Sequence, residues 1–192
     1  MFSKSACIMI AGKMGSGKTL AAKYLMDMIR ELHLIGAIIP LALPIKTIAK
    51  KYIGWDGEKD EKGRKLLQIL GTEAGRTYNP DCWVSYLINK YIPDLESFPL
   101  DFVIIDDWRF PNEKDYIEND PVYAVYTIRL YRGKKETTQR IMGILTNHPS
   151  ENSLPEYPNE YDYSIDNNYD KEFLENELSL ILDDILKKHP RY

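Results

Sequence analysis

Near the amino terminus, Gly12-Lys13-Met14-Gly15-Ser16-Gly17-Lys18-Thr19 matches the pattern GxxxxGK[ST]. Each residue type has a chemical reason for its place. Glycines let the backbone curl until consecutive N–H groups point at one anion. Lys18 brings an ammonium near the outer phosphates, Thr19 offers a hydroxyl to Mg²⁺, and a helix starting here presents its positive end. The motif follows a compact apolar run, Cys7 to Ala11, and opens a helical pattern. That context separates a phosphate-binding loop from an ordinary glycine-rich turn. Gly12 through Thr19 are therefore candidate ligands of a nucleotide such as ATP, with Lys18 also a catalytic candidate.

A second group of chemistry-bearing residues follows the run Phe102-Val103-Ile104-Ile105, which ends at Asp106-Asp107. A carboxylate at such a strand end can hold Mg²⁺, so Asp106 joins Thr19 as a metal candidate; a strand-end cap is its alternative role. Adjacent strand residues face opposite ways, so Asp107 is not expected to share that task. Arg109, two residues on, falls at the sheet edge where α/β proteins bind ligands and is placed to grip an acceptor phosphate. Lys46, Arg64 and Arg76 are further anion candidates, and Arg64 and Gln68 lie four apart on one helical face. Trp83 and Trp55 could stack on a base or fill a core. Arg129, Arg132, Lys134, Lys135 and Arg140 place five bases within twelve residues, opposed only by Glu136. Such a run is either a solvated face or a flap that closes over a triphosphate, with Arg132 and Arg140 as its catalytic fingers. His148 stands alone and is assigned no catalysis.

Periodicity indicates the elements that must position these residues. Cys7–Ala11, Ala37–Leu41, Phe102–Ile105, Val122–Leu130 and Tyr163–Ile165 read as strands. Helical spacing runs through Ala21, Leu25, Met28 and Leu32, follows Pro44, and covers Arg64 to Ala74. It returns after Pro80-Asp81, after Pro111, and over Leu174 to Leu186. Pro93 and Pro99 read as the brackets of a connector, and residues 147–161, with three prolines, as loop. Strands alternating with helices imply a parallel sheet of about five strands with helices on both faces, the three-layer P-loop NTPase arrangement. Residues 1–192 read as a single domain.

Composition narrows the class. The 192 residues carry 25 Lys+Arg and 29 Asp+Glu, a net charge of −4. Mild acidity argues against a polybasic partner of nucleic acid or lipid. Yet residues 1–76 hold 13 basic and 7 acidic residues, against 12 and 22 in the remainder. The expectation is an acidic protein with a basic cleft. Two cysteines cannot build a disulfide framework and no zinc spacing occurs. The apolar run before Gly12 is too short for a signal-peptide core or a membrane span, so the expected setting is reduced and cytoplasmic. The guanine-reading NKxD pattern is missing, since Asn89-Lys90 continues as Tyr91-Ile92.

Beyond the phosphate loop, several blocks resemble bacteriophage-type deoxynucleoside monophosphate kinases. They are Leu41 to Lys46, Gly54-Trp55-Asp56-Gly57, Leu66 to Arg76, Asp107-Trp108-Arg109-Phe110-Pro111-Asn112-Glu113, His148-Pro149-Ser150-Glu151 and Asp162 to Asn167. They keep family order across most of the chain. The resemblance implies the nucleoside monophosphate kinase fold and Mg²⁺-dependent transfer of the ATP γ-phosphoryl to a deoxynucleoside 5′-monophosphate, giving the diphosphate and ADP. It marks Lys46, Arg64, Gln68 and Arg76 as acceptor-side residues and Arg109 as an acceptor-phosphate ligand, and analogy with related kinases puts Asn167 near the adenine of ATP; Trp83 and Glu151 are further substrate-binding candidates. It also implies an acceptor-binding insertion at about 42–92, a mobile lid at about 131–160, and host-cell cytoplasm as the setting of a phage-encoded chain. The implied partner is a small molecule rather than a nucleic acid or membrane, and a homodimer is left open. Because the nucleophile would be an ionised phosphate oxygen, no general base is needed. Alternatives are another P-loop small-molecule kinase, such as one acting on dephospho-coenzyme A, a non-transferring regulatory nucleotide binder, and a nucleic-acid end kinase.

Overall fold

The computed structural model describes residues 4–58, 60–95, 100–133, 149–154 and 160–189. Strand β1 (Ser5–Ala11) is buried along nearly its whole length because both its faces are covered. Ala6, Ile8 and Ile10 pack with α1 (Lys18–Glu31) and the closing helix, while Cys7, Met9 and Ala11 pack into a second cluster with Leu87, Ile88, Ile92 and Trp108. Continuous rather than alternating apolarity is what such two-sided burial demands.

Strands β2 (Gly36–Ile38), β3 (Phe102–Ile105), β4 (Tyr123–Tyr131) and β5 (Tyr163–Asp166) join β1 in one sheet of order β2-β3-β1-β4-β5. Every pairing is parallel. β1 therefore lies at the centre, with Met9 in register with Ile105 on one side and Ala11 with Arg129 on the other. The expected three-layer α/β architecture of about five parallel strands is the one observed.

Between β2 and β3 the chain forms helices that border a cleft. Helix α2 (Leu43–Ile48) carries Pro44 in its first turn and continues as a π-helical turn, Ala49–Ile53, ended by Gly54 at φ 77°. Helix α3 (Glu61–Gln68) is capped by Asp60, whose carboxylate accepts from the Gly63 N–H at 2.7 Å, and widens into a second π turn, Ile69–Arg76. Helix α4 (Cys82–Tyr86) passes through a third, Leu87–Tyr91, into α5 (Ile92–Leu95). Such wide turns are rare and concentrate at functional sites.

Helix α6 (Pro111–Glu118) follows β3, α7 (Pro149–Asn152) precedes β5, and α8 (Lys171–Lys188) closes the chain over α1. Asp170 caps α8 by accepting from the Phe173 N–H. Both cysteines are free, and burial pushes the Cys7 thiol up to about 12. Among the described residues no helix is long and apolar enough to cross a membrane.

Four expectations are corrected. The second strand stops at Ile38 rather than Leu41: after Ile39, whose N–H donates to Ile104, Pro40 has no N–H for the ladder, and those of Leu41 and Ala42 go to the Asp107 carboxylate. Pro93 lies in α5, directly after the Leu87–Tyr91 π turn, rather than in a connector. Residues 149–152 form a helical turn, with Ser153 N–H and hydroxyl both donating to the Pro149 carbonyl. Arg129 is not a flap residue: it lies within β4, 6% exposed, with its guanidinium 5.5 Å and 5.6 Å from the rings of Tyr131 and Tyr161. Lys134, Lys135, Arg140 and His148 lie outside the described residues.

Ile104 is fully buried beside β1 in the first core cluster. Replacing it by alanine deletes three carbons from a packed interior, and the expected loss of stability is about 2–5 kcal/mol by urea unfolding.

Candidate active site

The phosphate loop is shaped by what its glycines permit. Gly12, Gly15 and Gly17 have φ values of 153°, 79° and 102°. At Gly12 a Cβ would also sit 2.8 Å from the Leu130 carbonyl and 2.4 Å from Ser16 Oγ. At Gly17 it would lie 2.4 Å from the side-chain nitrogen of Asn167. The Ser16 N–H closes the curl by donating to the Lys13 carbonyl at 3.1 Å. Lys18 bends back over the loop, its ammonium donating to the carbonyls of Gly12 and Lys13, the latter at 3.0 Å. Ser16 Oγ is buried without a hydrogen-bond partner in the structure. A buried hydroxyl left in this state is costly, and a ligand oxygen in the loop would relieve it.

Thr19, at the start of α1, donates its hydroxyl to Asp106 Oδ2 at 2.8 Å. Two residues separated by 87 positions thus meet as a pair of hard oxygen donors beside the loop. The pair suits Mg²⁺, which is usually bound through one or two protein oxygens together with substrate phosphates and waters. Among the described residues, no group of three or more His, Cys, Asp or Glu side chains forms a metal cage.

Asp107 diverges from Asp106, as strand alternation requires. Its Oδ1 accepts from Leu41 N–H at 2.7 Å and its Oδ2 from Ala42 N–H at 3.0 Å. Burial pushes its carboxyl above the ordinary value and the nearby Asp106 charge adds to that, while the Ala42 and Leu41 bonds and Lys46 oppose it. The carboxylate ties the start of α2 to the edge of β3.

Beside the loop opens a cavity of about 420 Å³. Lys46 of α2, Arg64 and Gln68 of α3, Arg76, and Arg109 after β3 all line it, with Met14 of the phosphate loop in the same wall. Five residues expected on the acceptor side are therefore brought together from three separate chain segments. Leu41, Ile45, Leu67 and Phe110 supply an apolar part of the lining. Such a mixture of apolar wall and a few convergent polar groups is typical of small-molecule sites.

Three further candidates are held by partners within the protein. Trp83 is not in the cavity wall: its indole N–H donates to the Gly71 carbonyl at 2.8 Å, and its ring fills the space that a side chain at Gly75 would need. Trp55 bonds the Glu58 carbonyl and packs against Gly63. Asn167 is 4% exposed, and its amide nitrogen donates to the Ser16 carbonyl at 2.7 Å while its backbone N–H donates to Tyr131. Through the Ser16 bond it clamps the phosphate loop. Arg132 lies just past β4, half-buried, and the Arg140 and Glu151 side chains lie outside the described residues.

Glu113 was not singled out from the sequence. It is 1% exposed, forms an ion pair with Arg76, and accepts from the N–H groups of Arg109 and Phe110 at 3.0 Å each. The usable signal was its place at the third position of a helix, where a glutamate can reach back to preceding N–H groups.

No protein-family model and no curated protein matches the chain. Solved structures do. The Mycobacterium tuberculosis APS kinase, in complex with AMPPNP and APS, is similar with a TM-score of 0.53 and 9% identity, over 95% of this chain and 98% of that one. A protein taken to be a kinase, from Chloroflexus aurantiacus, gives 0.52 and 13%, over 98% of this chain and all of the other. At these identities the likeness establishes the fold alone, the parallel α/β arrangement described above.

Asn167→Ala removes the buried hydrogen bond that holds the Ser16 carbonyl. ATP affinity by calorimetry should fall by about tenfold, in keeping with roughly 1–2 kcal/mol for such a bond. Unchanged ATP affinity would show that the loop keeps its shape without the clamp.

Proposed function

We propose that the chain is a phosphotransferase that moves the γ-phosphoryl group of ATP to a deoxynucleoside 5′-monophosphate, giving the deoxynucleoside diphosphate and ADP. The observation that carries this reading is the cavity next to the phosphate loop. Its wall combines Lys46, Arg64, Arg76 and Arg109 with apolar side chains and the Gln68 amide. A phosphate monoester bearing a planar base is the ligand chemistry that uses all three. The volume of about 420 Å³ suits a molecule of that size.

The carboxylates favour a phosphate acceptor over an alcohol. A hydroxyl nucleophile benefits from a general base, whereas a phosphate oxygen is already ionised near neutrality because the second pKa of such esters is about 6. Asp107 has both oxygens engaged by backbone N–H groups, and Asp106 accepts from Thr19. Among the described residues lining the cavity there is no histidine. Among the described residues the two carboxylates at this edge are already engaged, an arrangement suited to a nucleophile that needs no base.

Catalysis on this reading is positioning and charge neutralisation. The curled loop and the positive end of α1 hold the nucleotide phosphates. Lys18 exchanges its carbonyl partners for phosphate oxygens and neutralises charge on the transferring group. Mg²⁺, held by Thr19 and Asp106 with the nucleotide phosphates, would supply further neutralisation. Arg109 grips the acceptor phosphate, and Lys46, Arg64 and Gln68 orient the rest of that molecule. Residues 42–92 form the acceptor segment, and Arg132 and Arg140 belong to a lid at about 131–160.

The test is ADP release with a panel of deoxynucleoside monophosphates, ribonucleoside monophosphates, dephospho-coenzyme A and 5′-hydroxyl oligonucleotides. Release that depends on a deoxynucleoside monophosphate is expected; dependence on dephospho-coenzyme A or an oligonucleotide alone would replace this reading. Hydrolysis indifferent to every acceptor would identify a non-transferring module. Lys18→Ala should lose transfer while remaining folded by circular dichroism. Arg109→Ala should raise the acceptor KM or lower kcat with little change in ATP affinity, and an unaltered acceptor dependence would remove Arg109 from the site.

A further inference from the structure

We infer that Glu113 is a positioning residue for the acceptor site, one carboxylate that sets both Arg109 and Arg76; the inference rests on reading the cavity as the acceptor site. Glu113 stands at the third position of α6, where a glutamate commonly reaches back to one N–H ahead of the helix. Here Oε2 takes two, those of Arg109 and Phe110, at 3.0 Å each. That fixes the backbone from which the Arg109 side chain enters the cavity wall.

The other oxygen does something a helix cap has no need of. Oε1 pairs with Arg76, at the end of the Ile69–Arg76 π turn and 37 positions away in the chain. Arg76 also donates to the Gly71 carbonyl at 3.0 Å and lies with its guanidinium 4.3 Å from the centre of the Phe110 ring. Arg76 and Arg109 both line the cavity. A single buried carboxylate therefore links the sheet edge carrying one cavity arginine to the helical segment carrying the other. Asn112, one residue earlier, reinforces the link by donating to the Pro80 carbonyl and Asp81.

Burial this complete is expensive for a carboxylate acting only as a cap, and an exposed glutamate would cap equally well. Burial pushes the Glu113 carboxyl up, opposed by Arg76 and by the two N–H bonds. The arrangement also changes the role of Arg76. Much of its charge is answered by Glu113, so it acts as a strut in the cavity wall, with Arg109, Lys46 and Arg64 as the remaining cations there.

Glu113→Gln keeps the shape and an oxygen for the two N–H groups but cannot pair with Arg76. Arg76→Met breaks the same link from the other side. Calorimetric binding of a deoxynucleoside monophosphate and of ATP is measured on wild type, both single variants and the double variant, each checked for a cooperative unfolding transition. Acceptor affinity should fall about 10- to 100-fold in each single variant, as small misplacements of positioning groups do, while ATP affinity stays within about twofold. The double variant should be no weaker than the worse single one, since the pair acts as a unit. If Glu113→Gln does not fold, Glu113→Asp, which keeps the charge but withdraws it by one methylene, is expected to show the same selective loss. Full acceptor affinity in a folded Glu113 variant, or equal losses of both ligands, would overturn the inference alone. Failure of the wild type to bind any deoxynucleoside monophosphate would overturn the acceptor reading and this inference with it.

Discussion

The backbone of Gly12 passes so close to the Leu130 carbonyl that no side chain fits between them. This close approach of β1 to β4 at the end of the sheet governs the rest of the site. It requires β1 to be central and parallel to β4, so that both strands deliver their carboxyl ends to the same place. On the other flank β3 delivers Asp106 to the Thr19 hydroxyl in the same way. From the outer edge of the sheet, the turn after β5 sends Asn167 under the loop to hold the Ser16 carbonyl. The glycines are needed because the loop is gripped from beneath by backbone and amide, leaving its concave side for a ligand.

The second constraint is electrostatic. A chain of net charge −4 gathers Lys46, Arg64, Arg76 and Arg109 around one cavity without leaving those cations to repel one another. It does so by turning two neighbouring carboxylates to different uses. Asp106 faces the phosphate loop, while Asp107 is consumed by the N–H groups that start α2. Glu113 then answers Arg76 within the wall. Acids are not excluded from the basic cleft: Asp107 stands in its wall with both oxygens taken by backbone N–H groups, and the buried Glu113 holds Arg76. The helices bearing Lys46, Arg64 and Gln68 are carried by segments that widen into π turns, and α2 is joined to the sheet by the Asp107 hydrogen bonds and by Leu43 packing on the core.

Much of this was legible in the residues. The phosphate loop, the five strands, the order of helices and the paired Arg64 and Gln68 follow from local pattern, because spacing along the chain dictates which side chains share a face. Lys46, Arg76 and Arg109 could be named from residue type and neighbourhood, and the cavity does bring them together. Residue type alone does not say which partner a side chain finds. Trp83 bonds Gly71 and fills the space beside Gly75, Asn167 holds Ser16, and Arg129 lies by Tyr161. Local periodicity carries β2 three residues too far, past Pro40 and into residues whose N–H groups go to the Asp107 carboxylate.

The sequence by itself determined the local conformations and the chemistry on offer: a loop that can curl around phosphate, apolar runs that must be buried on both faces, and cations grouped near particular turns. These depend on φ preferences, side-chain type and periodicity, all of which act within a few residues. Only the tertiary structure decided how those groups are allotted. It turned Asp106 to Thr19 and Asp107 to the start of α2, made Glu113 the common partner of Arg76 and the Arg109 backbone, and set Asn167 beneath the phosphate loop. Those assignments are contests between partners far apart in the chain, and they are settled by which groups burial brings within hydrogen-bonding distance.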